Sequence, residues 1–221
     1  MNRKRLGFTL VELMLAMSIV SLLLLAIAFL VIQIGHVYTK GMTLKGLNQV
    51  ATTISRDVEA TVSQADSSEF VSVPQLPSTY GSGRICTGTI SYAWNAARDT
   101  AGAVSTRNVY TAPDNATEIH FVRMDDRDGT TCKANLGVYP AITKAKTREM
   151  LPAGQYDFAM HQFYIGTNPN DASLHWIVMK IGSSNQLDVD LATQQCRLDK
   201  GQSDYCAINV FESTVQSARR T

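Results

Sequence analysis

Glu12 stands at the head of a stretch, Leu13 to Thr39, that holds no Asp, Glu, Lys or Arg. A carboxylate against so much apolar sequence is costly in lipid unless it meets a cation or reaches the headgroups. Its chemistry is pairing rather than catalysis, and taken alone the headgroup reading is the simpler. Four cysteines, Cys86, Cys132, Cys196 and Cys206, all follow the apolar stretch. They can form disulfides in any of three connectivities, or hold zinc. None of them is spaced C-x-x-C, and His120, His161 and His175 show no ligand spacing, so disulfides are expected and a metal is not. Asp125, Asp126, Asp128 and Gly129 suggest calcium, but Met124 occupies the first position of the required loop, and an acidic turn is expected instead. Asp188 and Asp190 alternate along one strand face and read as solvated carboxylates. Trp94 and Trp176, each alone in the sequence, read as core or sheet-surface residues rather than sugar platforms. With no G-x-S-x-G, H-E-x-x-H or phosphate loop, neither an enzyme nor a cofactor is expected.

The elements around Glu12 follow from hydropathy and charge. Arg3, Lys4 and Arg5 precede an apolar run from Phe8 to about Gly35. Positive charge resists translocation, so that end is expected on the cytoplasmic side. The run exceeds the apolar stretch of a cleavable secretory signal, and at ~1.5 Å per residue it spans a hydrocarbon core of about 30 Å. A single membrane pass with the rest of the chain outside the cytoplasm is expected, where disulfides persist. The 221 residues carry a net charge of +1, which argues against a protein built to coat nucleic acid. Loss of the three cations before Phe8 would take that charge to −2, apart from the new amino terminus.

Beyond Thr39 the pattern becomes amphipathic. Leu44, Leu47, Val50, Ile54, Val58 and Val62 recur at spacings of three or four, and the first proline is Pro74. A helix from about Thr9 to Gln64 is predicted, ~80 Å long at ~1.5 Å per residue. Gly35, Gly41 and Gly46 mark either a bend or residues the helix tolerates. After Ser68 the signals turn to strands and loops, with a Pro/Ser/Gly-rich link from Pro74 to Gly83. Strands are predicted over Thr89–Trp94, Glu118–Arg123, Phe158–Ile165, Leu174–Ile181, Leu187–Leu191 and Ala207–Phe211, and Ala141–Met150 as a short helix or loop. The fold class is α+β, an antiparallel sheet covered on one face by the amphipathic half of the helix.

The string Gly7-Phe8-Thr9-Leu10-Val11-Glu12, behind a basic leader and ahead of an apolar helix, closely resembles the type III signal of type IV pilins and pseudopilins. The resemblance implies cleavage after Gly7 by a prepilin peptidase and N-methylation of the new terminus, Phe8. It also implies pairing of Glu12 with the amino terminus of a neighbouring subunit during assembly. An ammonium made by proteolysis inside an apolar bundle would neutralise such a carboxylate. The implied boundaries are a leader over 1–7, a membrane and filament-core helix over 8–35, its amphipathic continuation over 36–68, and a β-rich head over 69–221. Pilins often carry a C-terminal disulfide loop, which suggests Cys196 with Cys206 and leaves Cys86 with Cys132.

The helix from Leu47 to Ala60, with Arg56-Asp57, is similar to that of J-type pseudopilins and W-type minor pilins. Val210 to Val215 followed by Arg219-Arg220 is similar to the end of W-type minor pilins. The expected function is that of a minor pilin that initiates or caps a type IV pilus. Its partners would be other pilins, the peptidase and, before assembly, the inner membrane. A pseudopilin at the tip of a type II secretion filament shares every motif. A membrane-anchored adhesin or DNA-binding head is the rival of another class, which an exposed aromatic or basic groove would favour; Lys144, Lys146 and Arg148 read as a solvated loop rather than as part of such a groove, and nothing else supports nucleic acid.

Overall fold

The computed structural model describes residues 9–66, 70–73, 83–95, 120–129, 131, 142, 146–151, 158–184, 189–190, 195–197 and 206–218. Among the described residues, one helix, α1 (Leu10–Gln64), precedes ten strands. With no proline before position 74, α1 stays helical through Gly35, Gly41 and Gly46, so the glycines are tolerated without a break. It begins at Thr9 and ends where Ala65 turns extended, its N–H shared between the Thr61 and Val62 carbonyls. The first half is apolar all round and exposed. The second half buries Leu47, Ile54, Val58 and Val62 of the predicted stripe together with Thr43, Ala51 and Thr61, whereas Leu44 is exposed and Val50 half-buried.

The strands divide into separate antiparallel sheets where a single sheet was expected. The first holds β1 (Phe70–Val73), β2 (Gly83–Thr87), β3 (Ile90–Trp94), β4 (Phe121–Asp125) and β5 (Thr147–Glu149), in that order. The second, ordered β10-β7-β6, holds β6 (Phe158–Asn168), β7 (Asp171–Ser183) and β10 (Ile208–Gln216). A small pair joins β8 (Val189–Asp190) to β9 (Gln195–Cys196). Turn chemistry sets the hairpins. Gly88, at φ 85°, supplies the positive φ of the two-residue loop between β2 and β3. Asn168 Oδ1 accepts the Asn170 N–H at 2.9 Å between β6 and β7.

One core joins the helix to both larger sheets. Leu47, Ile54, Val58 and Val62 pack with Tyr92, Trp94 and Phe121 of the first sheet and with Phe163, Ile177, Met179 and Ile181 of the second. Along β7 the buried residues alternate, Ser173, His175, Ile177, Met179 and Ile181 facing inward, as a strand with one covered face requires. Phe163 meets Trp94 and Phe121 edge-on, with ring centroids 5.3 and 5.4 Å away, so aromatic contacts close the space between the sheets.

Three sequence expectations need correction. Gly83, placed in the link, is the first residue of β2, and a Cβ there would lie 2.5 Å from Trp94 Cζ2, so the glycine serves packing. Within Ala141–Met150 the structure holds a strand, β5, whose polar Thr-Arg-Glu shows no apolar alternation. β10 extends beyond its predicted end because its pairing with β7 continues through polar residues as far as Gln216↔Leu174, and β7 runs past both predicted ends, with Asp171 paired to Asn168 and Ser183 to Phe158 of β6.

Candidate processing and assembly site

The start of α1 is built by two side chains that bond to each other. Thr9 is the N-cap, extended at φ −76° and ψ 149°. Its hydroxyl accepts the Glu12 backbone N–H at 3.3 Å. The Glu12 carboxylate answers by accepting the Thr9 N–H at 2.9 Å and the Thr9 hydroxyl at 2.8 Å. This reciprocal arrangement satisfies donors that a helix start otherwise leaves open. The T-x-x-E spacing announces it, yet the sequence reading assigns Thr9 no role of its own. A carboxylate in the first turn also complements the positive end of the helix dipole.

Both bonds to Glu12 fall on Oε2; among the described residues none is made to Oε1. The carboxylate is exposed, and so are Leu10, Val11, Leu13, Met14 and Leu15 around it. Glu12 is therefore a lone anion on an apolar cylinder, half-engaged by its own helix, with one oxygen open to a cation. Gly7 and Phe8 lie outside the described residues. The helix beyond is long and apolar enough to cross a membrane, with its most apolar stretch unburied.

The remaining residues singled out from sequence sit apart from this site. Cys196 and Cys206 form a disulfide with a Cα–Cα distance of 5.8 Å, tying β9 to the chain just before β10. Cys86 is buried and disulfide-bonded, and Cys132 lies outside the described residues. Asp126 accepts from the Ser91 hydroxyl at 2.8 Å and the Thr131 N–H at 3.1 Å. Asp128 pairs with Lys146 at 2.9 Å and Asp125 with Arg127 at 3.4 Å. The carboxylates thus build a turn, closed by Gly129 at φ 64°. Asp190 lies in β8 and Arg148 in β5, while Asp188 and Lys144 lie outside the described residues.

The histidines have structural partners. His161 is the extra residue of a bulge between Met160↔Ile181 and Gln162↔Lys180. Its Nε2 lies 3.0 Å from the Ser183 carbonyl, which can only accept, so Nε2 carries the proton. Burial pushes its pKa down to about 4, and nearby Lys180 adds to the fall. His175 is held by Thr167 at Nδ1 and Ser217 at Nε2, each 3.1 Å away.

Sequence reasoning also missed a cluster that docks the helix. Tyr92 and Arg123 converge on Asp57, Thr61 bonds the Tyr92 hydroxyl, and only the Arg56-Asp57 pair drew notice in the sequence. An isolated Tyr or Arg on a strand gives no sign of its partner on a distant helix.

Residues 2–28 match the family described as the prokaryotic N-terminal methylation motif. Neither curated proteins nor solved structures give a match. The matched residues hold the basic leader, Gly7, Phe8, the Thr9–Glu12 cap and most of the apolar run. Such a motif implies processing by prepilin peptidase and assembly into filaments with other pilins, which indicates a structural subunit rather than an enzyme. An apolar helix behind it is consistent with anchoring in a membrane and then a place in a pilus. The motif and the helix that carries it support a type IV pilin or pseudopilin family member, with a type IV pilin-like prepilin signal at residues 2–28.

Proposed function

We propose that this chain is a minor type IV pilin, a structural subunit that helps to initiate or cap pilus assembly. The observation that carries the reading is the division of α1. Its apolar first half, headed by Glu12, is fully exposed, while its second half is locked into the head. An exposed apolar helix of this length needs lipid or other helices around it, and a filament core supplies the second once the first is left.

In this reading the peptidase cuts after Gly7, and Phe8 becomes the methylated amino terminus. The ammonium of a neighbouring subunit then approaches Oε1 of Glu12. In an apolar bundle that pair is strong only because each charge would be costly without the other. The head stays outside the cytoplasm, where its disulfides persist.

The test is Glu12→Gln in the native host, scored by sheared filaments and by immunoblot of the membrane fraction. The variant should accumulate in the membrane and leave filaments fewer or absent. Filaments of wild-type number would overturn the assembly role of Glu12. Deletion of the gene separates the two filament systems: lost pili support the minor-pilin reading, and lost protein secretion with pili intact would replace it by a secretion pseudopilin.

A further inference from the structure

The outward face of the second sheet carries an aromatic pair that no role described above uses. Trp176 on β7 and Tyr164 on β6 stand 38% and 45% exposed, with ring centroids 6.4 Å apart. Trp176 lies opposite Gly166, and a Cβ at that position would fall 2.0 Å from its Cε2. The indole is therefore laid down over bare backbone, with its other face toward solvent. Around the pair the register places Gln162 and Lys180 in one cross-strand row and Glu212 beside Val178 in the next.

The inner face of this sheet, through Ile177, Met179 and Ile181, packs in one core with α1. The aromatic face thus looks away from the helix. In a filament whose core is α1 it would look outward, away from the helix bundle; that placement rests on the function proposed above, whereas the chemistry of the face does not. One cation and one anion at the rim balance, so the face offers no net charge to complement a phosphate backbone. It offers the negative π face of a ring to weakly positive C–H groups, and amide, amine and carboxylate groups to hydroxyls. A hydroxyl-rich ring with an apolar C–H face matches both.

We propose that Trp176 and Tyr164 form a platform for a neutral hexose polymer, with Gln162, Lys180 and Glu212 bonding its hydroxyls. The test uses the full chain in a detergent without a sugar headgroup, titrated calorimetrically with cellohexaose, chitohexaose and a single-stranded oligonucleotide. At least one of the two sugars should bind saturably. Trp176→Ala should weaken that binding about tenfold or more, the scale of one lost stacking contact. Tyr164→Ala, at a more exposed position and not packed on Gly166, should also weaken it and serves if Trp176→Ala disturbs the sheet. Binding of neither sugar, binding unmoved by both substitutions, or preference for the oligonucleotide would overturn the proposal. Filaments are scored in the same strains. Filaments absent from the wild type would count against the filament reading and leave the titration as it stands.

Discussion

The Tyr92 hydroxyl donates to the Asp57 carboxylate at 2.8 Å, joining the centre of the first sheet to the buried half of α1. Because a carboxylate only accepts, the single phenolic proton points to Asp57, and Tyr92 accepts from the Thr61 hydroxyl, also at 2.8 Å. Burial raises the Tyr92 pKa well above the ordinary phenol value, so the group stays protonated and can only donate that one proton. Arg123 Nε stands 3.2 Å from the same carboxylate oxygen, an ion pair without hydrogen-bond alignment.

Tyr92→Phe would leave the buried Thr61 hydroxyl without its partner and the half-buried Asp57 with Arg123 alone, at a cost of about 1–3 kcal/mol. Thermal unfolding of the full chain in detergent should show this as a lowered midpoint. Thr61→Ala should cost less, since the tyrosine proton still reaches Asp57. An unchanged midpoint for Tyr92→Phe would mean that packing alone holds the helix to the sheet.

Acid should loosen the second sheet through His161. An unfolded histidine titrates near 6.5, and the folded one near 4. Between those values the unfolded chain binds a proton that the folded chain refuses, so stability is complete above pH 6.5 and falls as pH drops toward 4. The loss approaches an order of 3 kcal/mol at the lower end. His175, lowered by burial against the pull of Asp171, acts in the same direction. Unfolding midpoints at pH 7.5 and 4.5 should differ less in His161→Gln than in the parent. Equal pH dependence in the two would remove His161 from the account.

Two glycines should respond in opposite ways. Gly83→Ala drives a methyl against the buried Trp94 ring, 2.5 Å from Cζ2, and overpacking of this kind costs about 1–3 kcal/mol. Gly41→Ala meets nothing within 4 Å on the helix surface and should stabilise α1 by up to about 1 kcal/mol. Circular dichroism melts of the two variants check the sign of each.

The Cys196–Cys206 disulfide spans 10 residues of sequence. Closing a loop of that size stabilises by about 2–3 kcal/mol through the unfolded chain. The double variant Cys196→Ser/Cys206→Ser should unfold at correspondingly lower denaturant concentration. Retained stability would mean that pairing of β10 with β7 holds the C-terminal segment unaided.

The helix was legible in the sequence almost to the residue, because its signals are local: no proline before position 74, a long apolar run, and apolar residues at spacings of three and four. The β6–β7 hairpin was legible for a similar reason, since Asn168-Pro169-Asn170 separates two alternating runs. The division into sheets was not. It depends on which strands pair: β1, β2 and β5 are short, and β3 and β4, which join them into one sheet through pairs such as Trp94↔Phe121, lie far apart in sequence. At the N-terminal site, the resemblance to a prepilin signal implied roles for Gly7, Phe8 and Glu12, while the engagement of one Glu12 oxygen by Thr9 needed coordinates. The Asp57 cluster was hidden because its members lie on separate elements.

The most direct measurement is the intact mass of the protein isolated from cells with and without prepilin peptidase. The account predicts a species that starts at methylated Phe8 in peptidase-containing cells, and the full chain from Met1 in cells without the enzyme. The Met1 form in both would contradict it, since the amino terminus would then lie at Met1 and none would exist at Phe8 for Glu12 to meet.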